Sequence, residues 1–175
     1  MPGPLKSKKI EGDVGTVVGS SSLGAETIKG TYQMAKLIFI NLPVSDLARA
    51  TAFYEAIGAV KNPQFCDDTA SCMVFSDTIH AMLMTHDKYR QFTTKKIADA
   101  KTTSQVLICI SADSRAEVDD LVSKAESAGG VIDPSPQDDY DFMYGRSFED
   151  LDGHLWGVNW MDFEAVAKET AAPAA

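Results

Sequence analysis

One succession of elements occurs twice in this sequence, and this repeat limits the possible folds more than any other feature. In the first copy, a strand predicted at residues 37–42 leads into a helix that opens at Ser45 and stops at Gly58. In the second copy, a strand at residues 105–110 leads into a helix that opens at Ser114 and stops at Gly129. Both helices carry apolar residues at intervals of three and four, which is typical of a helix with one buried face.

Three further strands are predicted after each helix, so each copy reads βαβββ. They fall at residues 60–66, 71–76 and 79–85 in the first copy, and at 131–132, 142–148 and 154–160 in the second. The turn before the last strand is Asp152-Gly153, a pair that suits a tight hairpin. One helix cannot cover the apolar face of a four-stranded sheet, so we expect an α+β fold in which two modules pack sheet to sheet.

The same pattern sets the domain limits. We predict one domain at residues 34–167, with module one at 36–86, a partly helical connection at 87–103 and module two at 104–163. Residues 1–33 are rich in Gly, Ser, Lys and Thr, and we predict a flexible leader, either an upstream start or an added extension. The Ala-rich residues 168–175 are predicted to be a disordered tail.

Charge and cysteine content bear on partners and location. The formal net charge of −9 disfavours nucleic acid and anionic membrane surfaces as partners. No apolar run reaches the roughly 20 residues that span a bilayer. Cys66, Cys72 and Cys109 are an odd set without CxxC spacing, which favours reduced thiols and a cytoplasmic location.

Several stretches, in order along the chain, resemble one known family. The segment 144–158 resembles the final hairpin of the vicinal oxygen chelate superfamily, which includes the glyoxalase I, bleomycin-resistance and extradiol-dioxygenase families. Together with segments 39–47 and 62–65, it is most similar to a bacterial subgroup called predicted lactoylglutathione lyases. The resemblance covers residues 36–163 and implies paired βαβββ modules whose curved half-barrel sheets surround a cavity.

The resemblance also implies where a metal would bind. Enzymes of the superfamily hold a divalent cation with His, Glu or Gln at four inward-facing positions, and the cation acts as a Lewis acid. The first position falls on Phe39 and the last on Gly157, neither of which can coordinate a cation. The second falls near Leu83 and Met84, and a thioether is a poor ligand for Zn²⁺, Ni²⁺ or Mn²⁺. Only the third, near Gln105, offers an oxygen, so we predict no metal and no cofactor.

The remaining aromatic, Met and polar side chains are typical of a small-molecule site. If their face looks inward, Tyr144 can donate a hydrogen bond and Arg146 can hold a carboxylate or phosphate. The alternatives are a core role for Tyr144 and a salt bridge from Arg146 to Glu149 or Asp150. The candidate ligand-binding residues are Phe39, Asn41, His80, Met82, Met84, Gln105, Tyr144, Arg146, Gly157 and Asn159.

Two other groups of residues are expected to be structural. The acidic residues Glu149, Asp150 and Asp152 cluster at a turn, where a solvated face is favoured over a catalytic pair. His154 has the opposite strand parity to Gly157, so we expect it to point away from any pocket and to stabilise the turn or lie on the surface.

Three functions remain open at this stage. The leading hypothesis is a metal-independent protein that binds a small organic molecule in its cavity, as bleomycin-resistance proteins do. The alternatives are a glyoxalase-type lyase or isomerase with relocated metal ligands, and a non-catalytic module that binds a partner, so whether the chain is an enzyme is left open. We expect a homodimer, which the resemblance implies and which would cover exposed sheet edges.

Overall fold

The structure is a computed structural model that describes residues 36–171, with side chains described as far as residue 167. The predicted leader at residues 1–33 lies outside the described residues, as do residues 172–175 of the predicted tail. In the part of the chain that is described, no helix is long and apolar enough to cross a membrane.

Module one forms a four-stranded sheet with one helix. Its elements are β1 (Ile38–Val44), α1 (Leu47–Ala56), β2 (Val60–Lys61), β3 (Ala70–Val74) and β4 (Ile79–Thr85). The strand order is β1-β4-β3-β2, with β1 parallel to β4 and the other pairs antiparallel. We call this sheet one.

Module two repeats the plan with one additional short strand. Its elements are β5 (Leu107–Ser111), α3 (Arg115–Ser127), β6 (Val131–Ile132), β7 (Asp138–Tyr140), β8 (Met143–Glu149) and β9 (Leu155–Met161). The strand order is β5-β9-β8-β6, with β5 parallel to β9, and β7 pairs with β8. We call this sheet two. The connection contains α2 (His86–Tyr89), and α4 (Phe163–Ala171) follows the last strand.

The ends of the two long helices follow from local hydrogen bonding. The N-cap of α1 is Asp46, one residue after the predicted Ser45, and its Oδ1 accepts the N–H of Arg49 at 3.0 Å. The N-cap of α3 is Ser114, as predicted, and its Oγ accepts the N–H of Glu117 at 3.1 Å. After each helix a glycine adopts positive φ, +104° at Gly58 and +94° at Gly129, which only glycine adopts without strain.

The strand predicted at residues 60–66 is the main local difference. Only Val60–Lys61 pair in the sheet, and Pro63–Phe65 form a short 3-10 turn. Pro63 has no N–H to donate to a ladder, and the Asn62 Oδ1 accepts the N–H of Gln64 at 3.1 Å, which favours the turn. Strand β7 and helix α4 were not predicted. Strand β7 is only three residues long and fully exposed, and α4 follows the last strand of the repeated plan.

The two modules share one hydrophobic core on their helix-bearing faces. Phe53 of α1 lies 6.0 Å from Phe148 of β8, and Phe75 lies 5.2 Å from Trp156 of β9, measured between ring centroids. Side chains of α1 therefore contact sheet two. The two modules pack through their helices as well as their strands, and not by sheet-to-sheet contact alone. We call the helix-bearing side of each sheet its core face and the opposite side its open face.

Candidate functional site

The open face of sheet one brings together half of the candidate residues. Ile40 and Leu42 of β1, and Ala81 and Leu83 of β4, lie in or against the core. Because side chains alternate along a strand, their neighbours lie on the open face. These neighbours are Phe39, Asn41, His80, Met82 and Met84.

Phe39 and His80 form a stacked pair on this open face. The two residues are partners across β1 and β4, and their ring centroids lie 4.8 Å apart with an interplanar angle of 25°. Phe39 is 47% exposed, so one side of the stack is open to a ligand. The His80 Nδ1 is buried and has no hydrogen-bond partner within residues 36–171. A buried polar atom without a partner costs about 1–3 kcal/mol. Because the Nδ1 is shielded from solvent, the His80 ring must turn before this atom can contact a molecule on the open face.

The open face of sheet two is built around Gly157. Gly157 pairs with Cys109 of β5, and a Cβ at position 157 would lie 2.9 Å from the Cys109 Sγ. The space that a larger residue would need is therefore occupied by the thiol. Two residues on, the Asn159 amide oxygen lies so close over Gly145 that a Cβ there would collide with it. The two glycines on this face therefore leave the space that the Cys109 and Asn159 side chains occupy.

These positions do not fit the metal shell that the resemblance implies. Phe39 offers a ring and Gly157 offers no side chain. Leu83 is fully buried on the core face, and Met84 supplies only a thioether that is 6% exposed. Among the described residues, no three His, Cys, Asp or Glu side chains are grouped so as to hold a metal ion.

Tyr144 and Arg146 lie on the core face of sheet two, where they contact α3. The Arg146 guanidinium donates to Asp119 Oδ1 at 2.9 Å and to Asp133 Oδ2 at 2.6 Å. The Tyr144 hydroxyl also donates to Asp119 Oδ1, at 2.9 Å. The hydrogen bonds from Arg146 hold the pKa of both carboxyls below the usual aspartate value. Neither side chain shares the face of Gly157, and the acids that pair with Arg146 are not the predicted Glu149 or Asp150.

Asp150 is the centre of a buried polar network that joins the modules. It is 5% exposed, and its Oδ2 accepts a hydrogen bond of 2.7 Å from the Tyr54 hydroxyl of α1. That hydroxyl in turn accepts the Trp156 Nε1–H at 3.0 Å. Burial raises the pKa of both Asp150 and Tyr54. The prediction of a solvated face is therefore wrong for Asp150, because an apolar α1 and sheet two close over it.

Two further contacts extend this junction to the surface. The His154 ring is buried, and its Nε2 donates to the Pro43 carbonyl oxygen at 2.8 Å. The Ser45 N–H donates to the Asp152 Oδ1 at 2.8 Å. His154 points away from the Gly157 side, as expected. The prediction that it points away from any pocket is wrong, because its ring lines two cavities and holds the end of β1. We call Tyr54, Asp150, Asp152, His154 and Trp156 the junction network.

Asn41, at the edge of the open face of sheet one, also lines a cavity that Phe39 and His80 do not line. Gln105 precedes β5, and with Asn41 it lines a cavity of about 320 Å³ that is bounded by the connection and the start of β9. The sequence reasoning missed Cys109, which is exposed beside Gly157, and Tyr54, which anchors the junction network. Cys109 lies two residues after Leu107, so strand alternation predicts that the two side chains share a face. Its position beside Gly157 could not be predicted, because it depends on the register between β5 and β9.

The family of this chain follows from its match to a family model. Residues 36–158 match the Glyoxalase/Bleomycin resistance protein/Dioxygenase superfamily. The chain therefore belongs to this superfamily, which agrees with the paired βαβββ plan and with the predicted resemblance. No curated protein matches the chain significantly.

Solved structures of similar fold support the architecture. The hypothetical protein SA1046 from S. aureus is 26% identical with a TM-score of 0.60, over 73% of this chain and 95% of that one. A glyoxalase/bleomycin resistance protein/dioxygenase family enzyme from Burkholderia phytofirmans PsJN is 19% identical with a TM-score of 0.59, over 73% and 100%. The fosfomycin resistance protein FosX from Mesorhizobium loti is 18% identical with a TM-score of 0.55, over 77% and 99%. At this identity the last two show the fold.

Proposed function

We propose that this protein binds a small organic molecule on the open face of sheet one, without the catalytic metal of its superfamily. The observation that carries the proposal is the Phe39–His80 stack, with a ring centroid distance of 4.8 Å and an exposed aromatic surface. An aromatic platform beside a hydrogen-bonding nitrogen is the usual composition of a ligand site. It stands where the resemblance assigns the first metal ligand.

The chemistry of the open face suggests the kind of ligand. Phe39 supplies a ring for stacking, and Met82 supplies a polarizable thioether that adapts to different shapes. His80 and Asn41 supply hydrogen-bonding groups on the same face. A planar or partly apolar molecule with one or two polar groups fits this set best. The absence of a cationic side chain among these residues disfavours a ligand held mainly by its negative charge.

Metal independence is supported by the residue types at the implied ligand positions. A phenyl ring and a glycine cannot coordinate a cation, and Met84 is a poor ligand for hard or borderline ions. Sequestration of a ligand needs no Lewis acid, so binding alone remains possible for this face. The rival proposal of a lyase with relocated ligands needs a cluster of His, Cys, Asp or Glu that the described residues do not form.

We further propose that the protein is a homodimer. Phe39 on sheet one and Leu107 on sheet two are 47% and 55% exposed, which is unusual for large apolar side chains on the faces of sheets. A second copy that covered these faces would bury them and enclose the ligand. Light scattering of the purified protein should give twice the 18.9 kDa chain mass. A monomer at micromolar concentration would overturn this proposal.

A cytoplasmic location is the third part of the proposal. Cys66, Cys72 and Cys109 are all free thiols, and Cys109 is exposed. Such thiols persist in a reducing compartment. Fractionation of the cells that make the protein, with an antibody to the chain, tests this directly.

The decisive experiment is a thermal-shift screen of small organic molecules. A specific ligand at about 100 times its Kd adds about 2.7 kcal/mol to the stability of the folded state. Phe39→Ala and His80→Ala should each abolish the shift for a hit, whereas Phe163→Ala, which removes another exposed aromatic ring, should leave it unchanged. Hits that survive both substitutions would contradict the assigned face.

Metal analysis separates the rival function. We expect the purified protein to contain no stoichiometric Zn, Ni or Mn, and to show no turnover of the methylglyoxal–glutathione hemithioacetal when these metals are added. Stoichiometric metal together with turnover would replace this proposal with the lyase.

A further inference from the structure

The surface beside the junction network carries a concentration of positive charge that is unusual for this acidic chain. A cleft of about 770 Å³ lies between the connection after α2 and the end of β1. Arg90, Lys95, Lys96 and Lys101 all line it. The whole chain has 16 Lys and Arg against 25 Asp and Glu, so four cations around one cleft depart from the overall balance. We call this the basic cleft.

The lysines of the basic cleft are available to a ligand. Lys95, Lys96 and Lys101 are exposed, and none of them makes an ion pair within residues 36–171. Arg90 pairs with Asp87 at 2.7 Å, but both side chains are largely exposed. An exposed pair of this kind contributes little, so Arg90 can turn to a stronger partner.

The carboxylates in the lining are already engaged. Asp99 Oδ1 accepts the N–H of Lys101 at 3.1 Å, and Asp152 Oδ1 accepts the N–H of Ser45 at 2.8 Å. Each oxygen is thereby directed toward the backbone. The ammonium groups of the lysines and the Thr94 hydroxyl have no hydrogen-bond partner among the described residues. The Thr93 hydroxyl accepts the N–H of Lys95 at 3.1 Å and can still donate its own proton. This is a set of donors suited to an anion.

One wall of the cleft is held rigid by the junction network. His154 and Pro43 both line the cleft and are joined by a hydrogen bond of 2.8 Å. A fixed wall opposite a set of long cationic side chains lets those side chains close on a ligand without deforming the fold. The preformed wall lowers the ordering cost of binding.

We propose that the basic cleft binds a small anion that carries phosphate or carboxylate groups, at a site separate from the open face of sheet one. The small size of the ligand follows from charge. A chain with a net charge of −9 repels an extended polyanion such as nucleic acid. A compact anion inside the cleft feels mainly the charges within about 8 Å at physiological salt. The lining supplies four cations, the three lysines and Arg90, against the two carboxylates of Asp99 and Asp152.

The test is isothermal titration calorimetry of the full chain with pyrophosphate and with citrate, at constant ionic strength. These probes distinguish a phosphate site from a carboxylate site. The expected result is saturable binding of at least one probe with one molecule per chain. In Lys95→Gln/Lys96→Gln the Kd should rise about tenfold or more.

A matched control removes the same charge elsewhere. Lys36→Gln/Lys61→Gln takes two exposed lysines from outside the cleft, and its Kd should stay within about twofold of the starting protein. Because all four lysines are exposed or nearly so, circular dichroism should show that both variants fold. Equal weakening by the two variants would overturn the proposal, since only net charge would then matter. Failure of both probes to saturate at about 10 mM would overturn it as well.

Discussion

The core faces and the open faces of the same two sheets use their side chains in opposite ways. On the core faces, polar groups are fully engaged: Asp150 accepts from Tyr54, and Arg146 bridges Asp119 and Asp133. On the open faces, Phe39 is half exposed, Cys109 is a free exposed thiol and the His80 Nδ1 lacks a partner among the described residues. Strong polar interactions therefore join the modules on the core faces, whereas these side chains on the open faces form no hydrogen bond or ion pair among the described residues.

This contrast shows why residue type alone is a poor guide to function in this fold. Arg146 and Tyr144 have the chemistry of ligand-binding residues but are engaged with α3. Phe39 has the chemistry of a core residue but lies on an open face. Which face a strand residue occupies matters more here than which side chain it carries.

The largest expected effect comes from breaking the junction network. Asp150→Ala leaves the Tyr54 hydroxyl and the N–H groups of Asp152 and His154 without their acceptor in a buried position. We expect the free energy of unfolding to fall by about 3–5 kcal/mol, measured by urea denaturation.

Tyr54→Phe is the matched control on the other side of the same contact. It keeps the ring packing but removes the hydroxyl that links Asp150 and Trp156, so the loss should be smaller, about 1–2 kcal/mol. Equal losses in the two variants would mean that the hydroxyl, and not the carboxyl, organises the network.

A smaller loss is expected on the open face of sheet two. Gly157→Glu must displace the Cys109 thiol and places a carboxylate without a cation in a buried position. We expect a loss of about 2–3 kcal/mol, because both strain and desolvation oppose the change.

The double variant Gly157→Glu/Cys109→Ala separates the two causes. Removal of the thiol relieves the strain and should recover part of the stability, while the desolvation of the carboxylate remains. Full recovery of the stability would indicate that the introduced carboxylate reaches water. It would then contradict the burial of position 157 on this face.

The contributions of Asp133 and Asp150 to stability should depend on pH in opposite ways. The pKa of Asp133 is lowered by Arg146, so its contribution is present above the unfolded pKa and is lost as the pH falls through the folded value. The pKa of Asp150 is raised by burial, so its contribution is present below the unfolded pKa and is lost as the pH rises through the folded value. Asp133→Asn should therefore cost more at pH 7 than at pH 3, and Asp150→Asn should cost more at low pH. Urea midpoints across that range test both trends, and parallel trends would contradict the opposite environments.

The smallest effect on stability is expected at Phe39. Because the ring is about half exposed within a single chain, Phe39→Ala should lower the free energy of unfolding by at most about 1 kcal/mol at protein concentrations where the chain is a monomer. Thermal melts check this value. A loss as large as that of a buried core residue would show that a second copy, or another part of the chain, covers the ring.

The strand and helix plan could be read from the sequence, because periodicity and caps are local. Ile79–Thr85 forms the predicted strand, and Ser114 caps the predicted helix. Pro63 shortens the strand at β2 for an equally local reason, because proline has no N–H to donate to the ladder.

The partners of the site residues could not be read, because they depend on contacts between distant parts of the chain. Asp150 looked like a turn carboxylate, and only the docking of α1 shows that Tyr54 covers it. The alternation of side chains along β8 groups Tyr144 with Arg146, but it does not show whether their face packs against the helix or lies on the opposite side of the sheet. The Cys109–Gly157 pair depends on the register between β5 and β9, which no single strand encodes.

The junction network also has a consequence for synthesis on the ribosome. Tyr54 and its donor Trp156 lie 102 residues apart in the chain. At a translation rate of about 5–20 residues per second, Tyr54 is synthesised about 5–20 s before Trp156. During this interval Phe53 and Tyr54 have no sheet two to cover them, so the nascent chain presents an apolar helix face that attracts chaperones or another nascent chain. The same separation means that the final docking step closes a loop of about 100 residues, and the entropy cost of that closure slows folding.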